Sequence, residues 1–525
     1  MPAMLGEMVD VDTVIVGAGS AGCVLAARLS EDDDRDVLLL EAGGDDRRRE
    51  IRIPAAFSKL FRSDVDWGYA TEPQAELAGR RVYWPRGKVV GGSSSLNAMI
   101  AIPGAAADYD GWQELGAGGW GWAGVAPVLE RVESALGLEE LRDPNPLTRA
   151  FLAAAAETGI PASPRLGPTA LDGVRLTPVT QRGGRRHSAA DAYLRPALGR
   201  PNLTLTTGAH ATRVVFEGGR AVGVEYVREG RTELVCAREV VLAGGVINSP
   251  QLLLLSGIGP AAELARHRIR QRHDLPGVGA NLEDHLAGGI LVESPTRHSL
   301  YTAERPFELL RYLLLRRGKL TSNVGEAAAF VRTRTGLPAP DLELLFAPVL
   351  FEDEGLAPPR DHGFTVAAVL LQPRSSGRVS LRSDDPFEPP AIDPRYLSDP
   401  GDLQTLVTGV ELARRIVSMP AFEAFAGTEL EPGEQPVETS VRQRAQSLYH
   451  PVGTCRMGSD ALAVVDAELR VRGVDGLRVV DASVLPRVPR GHTHLPTLVV
   501  AERAAELMRR RSASQAHPTR DPAAS

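Results

Sequence analysis

The segment from Val11 to Gly44, VDTVIVGAGSAGCVLAARLS…DVLLLEAGG, constrains the fold more than any other part of the chain. Thr13 to Val16 is a short β-branched run with the composition of a buried parallel strand. Gly17-Ala18-Gly19-Ser20-Ala21-Gly22 follows without a gap, and Cys23 to Leu29 continues at helical spacing. A second apolar run, Val37 to Leu40, ends on Glu41. This is a complete strand–turn–helix–strand unit. Gly17 makes the tight turn, Gly19 lets a pyrophosphate approach the backbone, and Gly22 lets helix and strand pack closely. The helix N-terminus presents N–H groups and a positive dipole end to the phosphates. Glu41 stands 19 positions after Gly22, where an acid accepts hydrogen bonds from an adenosine ribose. The unit predicts dinucleotide binding, with Ala18 and Ser20 in the turn and Ala42 beside the acid. NAD and FAD both satisfy it.

Composition narrows the remaining classes. The 525 residues are 43% hydrophobic and 24% charged, ordinary globular material able to bury a large core. A net charge of -7, with arginines in short scattered clusters, excludes a nucleic-acid binder. The three cysteines (Cys23, Cys236 and Cys455) lie far apart without a CxxC, so neither a disulfide framework nor a metal site is expected. The N-terminus lacks the basic and apolar regions of a signal peptide, and no run approaches the length of a membrane span. The reading is cytoplasmic, with contact to a membrane surface left open.

Trp84 to Met99, WPRGKVVGGSSSLNAM, leads apolar residues into paired glycines and three serines. Backbone amides in such a turn form an anion nest, and the hydroxyls add donors. Asp108 to Glu133 is aromatic and helical, with Trp112, Trp120 and Trp122 expected against the first domain. Pro161 to Gly173 is a crossing between domains. Strand patterns at Leu203–Thr206, Ala211–Phe216, Val222–Tyr226 and Glu239–Ala243 predict a β-meander. Val246 to Gly259 is an apolar helix stopped by glycine. The middle of the chain alternates strand patterns (Leu342–Phe346, Thr365–Leu371, Gly377–Leu381) with a helix over Asp402–Ser418, which predicts a second, α+β domain on an antiparallel sheet. The expected division is a Rossmann-type α/β dinucleotide domain over 1–160, 203–290 and 460–512, a substrate domain over 161–202 and 291–459, and a disordered tail over 513–525.

Of the eleven histidines, His187, His267, His273, His298, His362 and His517 sit among polar neighbours and are expected at the surface. His450 stands in SLYHPVGTCRMG, and His492 and His494 stand in RGHTHLPT, ahead of a helix expected to begin at Pro496. Such a helix aims its positive end at whatever His492 faces. Histidine suits alcohol oxidation, because its ordinary pKa of about 6.5 lets it take a hydroxyl proton near neutral pH. Loop histidines satisfied by backbone fit the pattern equally.

The chain resembles the glucose–methanol–choline (GMC) oxidoreductases, FAD-dependent alcohol oxidases and dehydrogenases. The resemblance runs from VIVGAGSAGCVLAARLSED through WPRGKVVGGSSSLNAM, INSPQLLLLSGIGP, LPGVGANLEDHL, TSNVGEAAAF and YHPVGTCRMG to GLRVVDASVLPRVP…LPTLVVAERAAE. It is nearest in character to the bacterial choline and alkanol dehydrogenases. The resemblance implies that His450 is the active-site base or acid beside the flavin and His492 its partner, the hydride passing to flavin N5. It implies that Gly17, Gly19, Gly22 and Glu41 hold the ADP half, and that Gly91, Gly92, Ser93 and Asn97, Ala98, Met99 and Ile100 lie along the pyrophosphate and isoalloxazine. Val214 would read the adenine by its backbone, and Asp481 and Ala482, with Thr493 and His494, would complete the flavin site.

Some relatives tether FAD through a histidine one position before Asn97. Here Leu96 stands there, so FAD is expected to be held non-covalently. Gly491-His492-Thr493-His494 replaces the GNTN of choline and alkanol dehydrogenases with a His–His pair. The expected partners are a small-molecule alcohol and an electron acceptor (quinone, oxygen or another carrier). Glu326 is the acid nominated for a cationic substrate. A hydroxynitrile-lyase-like, non-redox use of the same scaffold is the alternative reading.

Overall fold

The computed structural model describes residues 9–516. Strand β1 (Val9–Val16), helix α1 (Ser20–Leu29) and strand β2 (Val37–Glu41) form the unit that the glycine pattern predicts. β1 pairs in parallel with β2 and with the long strand Arg231–Leu242, and β2 pairs in parallel with Leu203–Thr207. The same long strand pairs antiparallel with Arg220–Arg228, which pairs antiparallel with His210–Glu217. Leu477–Val479 adds a last parallel strand, giving seven in all. The meander is therefore three strands. Leu203–Thr206, expected within it, lies at the opposite edge, where it pairs in parallel with the free side of β2.

Helix α1 is apolar almost all round, and Ala21 to Ala27 are buried. A helix of that composition must be covered on two faces. One face meets the sheet and the other the C-terminal helix His494–Ala516, whose Leu498, Val499 and Ala501 share the same core. That helix starts two residues before the expected Pro496. It carries Glu502 inward: Arg28 grips the buried carboxylate at 2.9–3.1 Å. Residues 517–525, including His517 and most of the expected tail, lie outside the described residues.

The second sheet is wholly antiparallel. Its order is Glu429–Glu431, Leu286–Glu293, Gly363–Leu370, Leu342–Ala347, Ala327–Val331 and Gly173–Leu176, with Gln446–Ser447 beside Leu286. The helix Pro400–Val417 lies on it so closely that a Cβ on Gly409 would come within 2.6 Å of Ala368 Cβ. Three details depart from the expected division. The helix Pro146–Glu157, with Leu147 and Phe151, packs in the second core. Ala189 to Leu194 pack in the first. The boundary at 290 cuts a strand, Leu286–Glu293, that belongs to the second sheet along its whole length. Trp112 and Trp120 are buried in the first core, as expected.

Candidate active site

A cavity of about 350 Å³ is lined by residues of both sheets. Its first half is built around the N-terminus of α1. Gly17 has φ +104° at the turn, and Gly19 caps the helix without any side chain bonding to the first-turn amides. The turn at Gly91-Gly92 crosses over it: the Gly91 N–H donates to the Ala18 carbonyl at 2.8 Å, and a Cβ on Gly92 would lie 2.7 Å from Gly19 Cα. The two turns touch because neither carries a side chain there. Glu41 accepts N–H bonds from Ala18 and Gly43 at 2.8 Å, and burial pushes its carboxyl up to about 7. At the other wall Asp481 accepts from the Gly245 N–H (2.9 Å) and from the Ser249 hydroxyl (2.6 Å), which holds the Gly244-Gly245 turn in place.

This half fits a dinucleotide. The α1 amides face the cavity uncapped, a Cβ on Gly17 or Gly92 would strike neighbouring backbone, and His494 Nε2 is buried without a partner. The other ring nitrogen, His494 Nδ1, meets Ser20 Oγ at 3.2 Å, and burial lowers the imidazole to about 4. His494 is therefore neutral near pH 7 and is free to donate or accept at Nε2.

The second half contains a histidine cluster. Tyr449 takes a left-handed conformation (φ 65°), its carbonyl accepts from Arg86 at 2.6 Å, and the His450 N–H donates to buried Asp284 at 2.8 Å. Asp284 also accepts from the Ser447 and Tyr396 hydroxyls, and burial raises its carboxyl to about 6. His492 follows Gly491, where a Cβ would strike the backbone of Ile102 and Gly104, and the His492 N–H donates to the Ile102 carbonyl at 2.7 Å. The His450 and His492 rings lie edge to face with centroids 4.6 Å apart. Two more residues complete the cluster. His285 Nδ1 is 3.0 Å from His450 Nδ1, and His492 Nε2 is 3.2 Å from Oε1 of Glu343. Glu343 is fully buried, and its Oε2 has no partner.

These bonds set the protons. His285 Nε2 lies 3.2 Å from the Leu371 carbonyl, which can only accept, so that nitrogen carries the hydrogen. Burial foremost, then the neighbouring His492, lowers His285 to about 3, so it is neutral and its Nδ1 is an acceptor. His450 must then donate from Nδ1, which leaves the lone pair on Nε2. Burial, with His492, His285 and Arg86 nearby, holds His450 well below the usual 6.5.

Most of the expected site residues meet here. Gly17, Gly19, Ser20, Glu41, Ala42, Gly92, Ser93, Asn97, Ala98, Met99, Ile100, His450, Asp481, Ala482, His492, Thr493 and His494 line the cavity. Ala18, Gly22 and Gly91 stand one layer behind, where a Cβ on Gly22 would strike the Gly17 carbonyl. Val214 does not line it: its N–H is taken by Ser256 Oγ at 2.9 Å, and Ala209, His210 and Ala211 line the wall instead. Ser94 and Ser95 donate to the Gly91 and Val90 carbonyls rather than into the nest. Glu326 is also displaced. It is buried 178 residues in sequence from Thr148, whose hydroxyl it accepts, and it also takes the Ser322 hydroxyl and the Asn145 N–H. His187 and His362, expected at the surface, are buried against the Leu136 carbonyl and Ser299. Sequence reading missed His285 and Glu343. The first lies in LPGVGANLEDHL, a segment that carried the resemblance. The second has no local signal at all.

The GMC oxidoreductase family models match residues 11–287 and 373–501. An uncharacterized GMC-type oxidoreductase of Mycobacterium tuberculosis is 50% identical over 95% of this chain and 99% of its own length. An alcohol dehydrogenase [acceptor] of Pseudomonas putida is 40% identical over 95% and 96%. The solved formate oxidase of Aspergillus oryzae, studied for its FAD modification, superposes with a TM-score of 0.90 at 27% identity over 97% of this chain and all of its own. With a nest shaped for a dinucleotide, a histidine cluster at its far end and these relatives, the chain belongs to the GMC oxidoreductase family and is an FAD-dependent oxidoreductase acting on CH–OH donors.

Proposed function

We propose that the protein oxidises an uncharged primary or secondary alcohol to its carbonyl compound, with His450 taking the hydroxyl proton. The observation that carries this reading is the bond chain from the Leu371 carbonyl through His285 to His450, which leaves a neutral Nε2 lone pair on the imidazole. A base must be unprotonated at the working pH, and a histidine held well below 6.5 meets that condition at pH 7. His492 positions the substrate oxygen from the other side, its own ring held by Glu343 and the Ile102 carbonyl.

Bound FAD supplies the two-electron acceptor for the hydrogen that leaves the carbon. Gly17, Gly19, Gly92 and the α1 amides would hold its pyrophosphate, Glu41 its ribose, and Asp481, Thr493 and His494, which line the cavity with them, the remainder. Leu96, buried and lining the cavity, offers no atom for a covalent tether, so acid precipitation should release all of the FAD into the supernatant.

Phe57, Phe61, Phe351, Val324 and Ala347 line the substrate half. Among the described lining residues, the carboxylates are Glu41 and Asp481 alone, both in the dinucleotide half. That wall suits an apolar alcohol and has no counter-charge for a cation. The test is anaerobic mixing of the yellow protein with a series of n-alkanols and with choline. Bleaching by alkanols and not by choline is expected. Bleaching by none would turn the reading toward the non-redox, lyase-like use. Admission of air then separates oxygen from a quinone or another carrier as acceptor.

A further inference from the structure

We propose that the helix Pro306–Leu315 is a docking surface for an anionic lipid bilayer. Its sequence, PFELLRYLLL, has the apolar content of a core helix, yet among the described residues only Tyr312 of this helix is buried. Phe307, Leu310 and Leu314 are 71%, 54% and 72% exposed at i, i+3 and i+7 spacing, and Leu309, Leu313 and Leu315 widen the stripe. Of the eleven exposed large hydrophobic residues described, seven fall between Tyr301 and Leu315. An ordinary amphipathic helix turns such a stripe inward. A continuous outward one marks an interaction site.

Charge selects the occupant. Residues 297–319 contain six basic side chains (Arg297, Arg305, Arg311, Arg316, Arg317 and Lys319) against two acidic ones, Glu304 and Glu308, in a chain whose net charge is -7. Arg305 stands at the N-terminal end of the stripe and Arg316 at the C-terminal end, followed by Arg317, which pairs with Asp143 at 3.3 Å. Arginines at both ends of an exposed apolar stripe can reach lipid phosphates while the leucines enter the acyl region. A second copy of the chain is a poorer occupant, because a two-fold contact would set the same cationic segments against each other. Tyr312 packs in one cluster with Phe57 and Phe61, and both phenylalanines line the cavity.

The test is sedimentation of the FAD-loaded full chain with vesicles of phosphatidylcholine alone and of phosphatidylcholine with phosphatidylglycerol. Binding to the anionic vesicles, at least about tenfold tighter than to the neutral ones and weakened by salt, is the expected result. Leu310→Glu with Leu314→Glu should abolish it, and Arg297→Glu with Arg305→Glu should remove the preference for anionic lipid. All four positions are exposed, so flavin bleaching by a water-soluble alcohol should stay unchanged in both variants. No binding to anionic vesicles, or equal binding by the Leu310→Glu/Leu314→Glu variant, would overturn the proposal. So would a wild-type dimer by light scattering that this variant splits into monomers, which would assign the face to a second copy.

Discussion

At the residue scale, the chemistry depends on where protons sit in the His285–His450 pair. Replacing His450 by Ala should slow flavin reduction by about 10²–10⁴-fold, the contribution of a positioned general base. His285→Phe keeps a ring of similar size but removes the acceptor that fixes the His450 hydrogen on Nδ1. Stopped-flow reduction should then be slowed about tenfold or more while the alcohol KM changes little, since the lone pair is displaced and not the binding wall. An unchanged reduction rate would refute the tautomer argument. His285 also couples stability to pH. Its folded value is lowered to about 3 from 6.5, so the unfolded chain binds the proton first as pH falls. Wild-type stability should therefore decline below about pH 6.5 by up to about 1.4 kcal/mol per pH unit from this group. Urea titrations of wild type and His285→Phe at successive pH values should show their difference in unfolding free energy narrowing toward acid.

At the element scale, one contact shapes the site and another holds a helix to the second sheet. The crossing of the Gly91-Gly92 turn over the start of α1 has no room for a methyl group, and Gly92 has φ +53°. Gly92→Ala should force the turns apart, cost about 1–3 kcal/mol by overpacking, and yield protein that is folded by circular dichroism but purified with little FAD. The second contact is Glu326, which ties the N-terminus of the helix Pro146–Glu157 to the second sheet. Three donors converge on it, so Glu326→Ala should lower stability by about 1–3 kcal/mol in thermal or urea unfolding, with choline no better and no worse as a reductant. A change confined to substrate preference would restore it as a pocket residue.

At the scale of the whole molecule, the first long helix packs on the last described one. α1 and the C-terminal helix are joined by Arg28 and Glu502, 474 residues apart in sequence. Glu502 is buried and Arg28 is partly exposed to solvent. Glu502→Ala should therefore cost about 1–3 kcal/mol, less than a fully buried pair. A fall in melting temperature together with weaker FAD retention would follow, because α1 carries the phosphate-facing amides.

The dinucleotide half was legible in the sequence because its requirements are local. A strand, a turn that excludes side chains, a helix N-terminus and an acid all fall within Val11–Gly44, and each is encoded by residues a few positions apart. His450 and His492 were legible through the motifs around them. His285, Glu343 and the fate of Glu326 were not. Their meaning comes from partners 165, 149 and 178 residues away, on loops and a helix that meet them only once the chain has folded. Val214 shows the same limit at short range: the strand was found, yet which of its residues faces the cavity depends on packing against Ser256. The sequence by itself determined the cofactor cradle and the fold class, since glycine sterics and apolar periodicity act over short spans. Only the tertiary structure decided which histidine nitrogen holds a proton, which acid is a strut, and which apolar helix is left facing outward, because burial and hydrogen-bond partners exist only once the chain has folded.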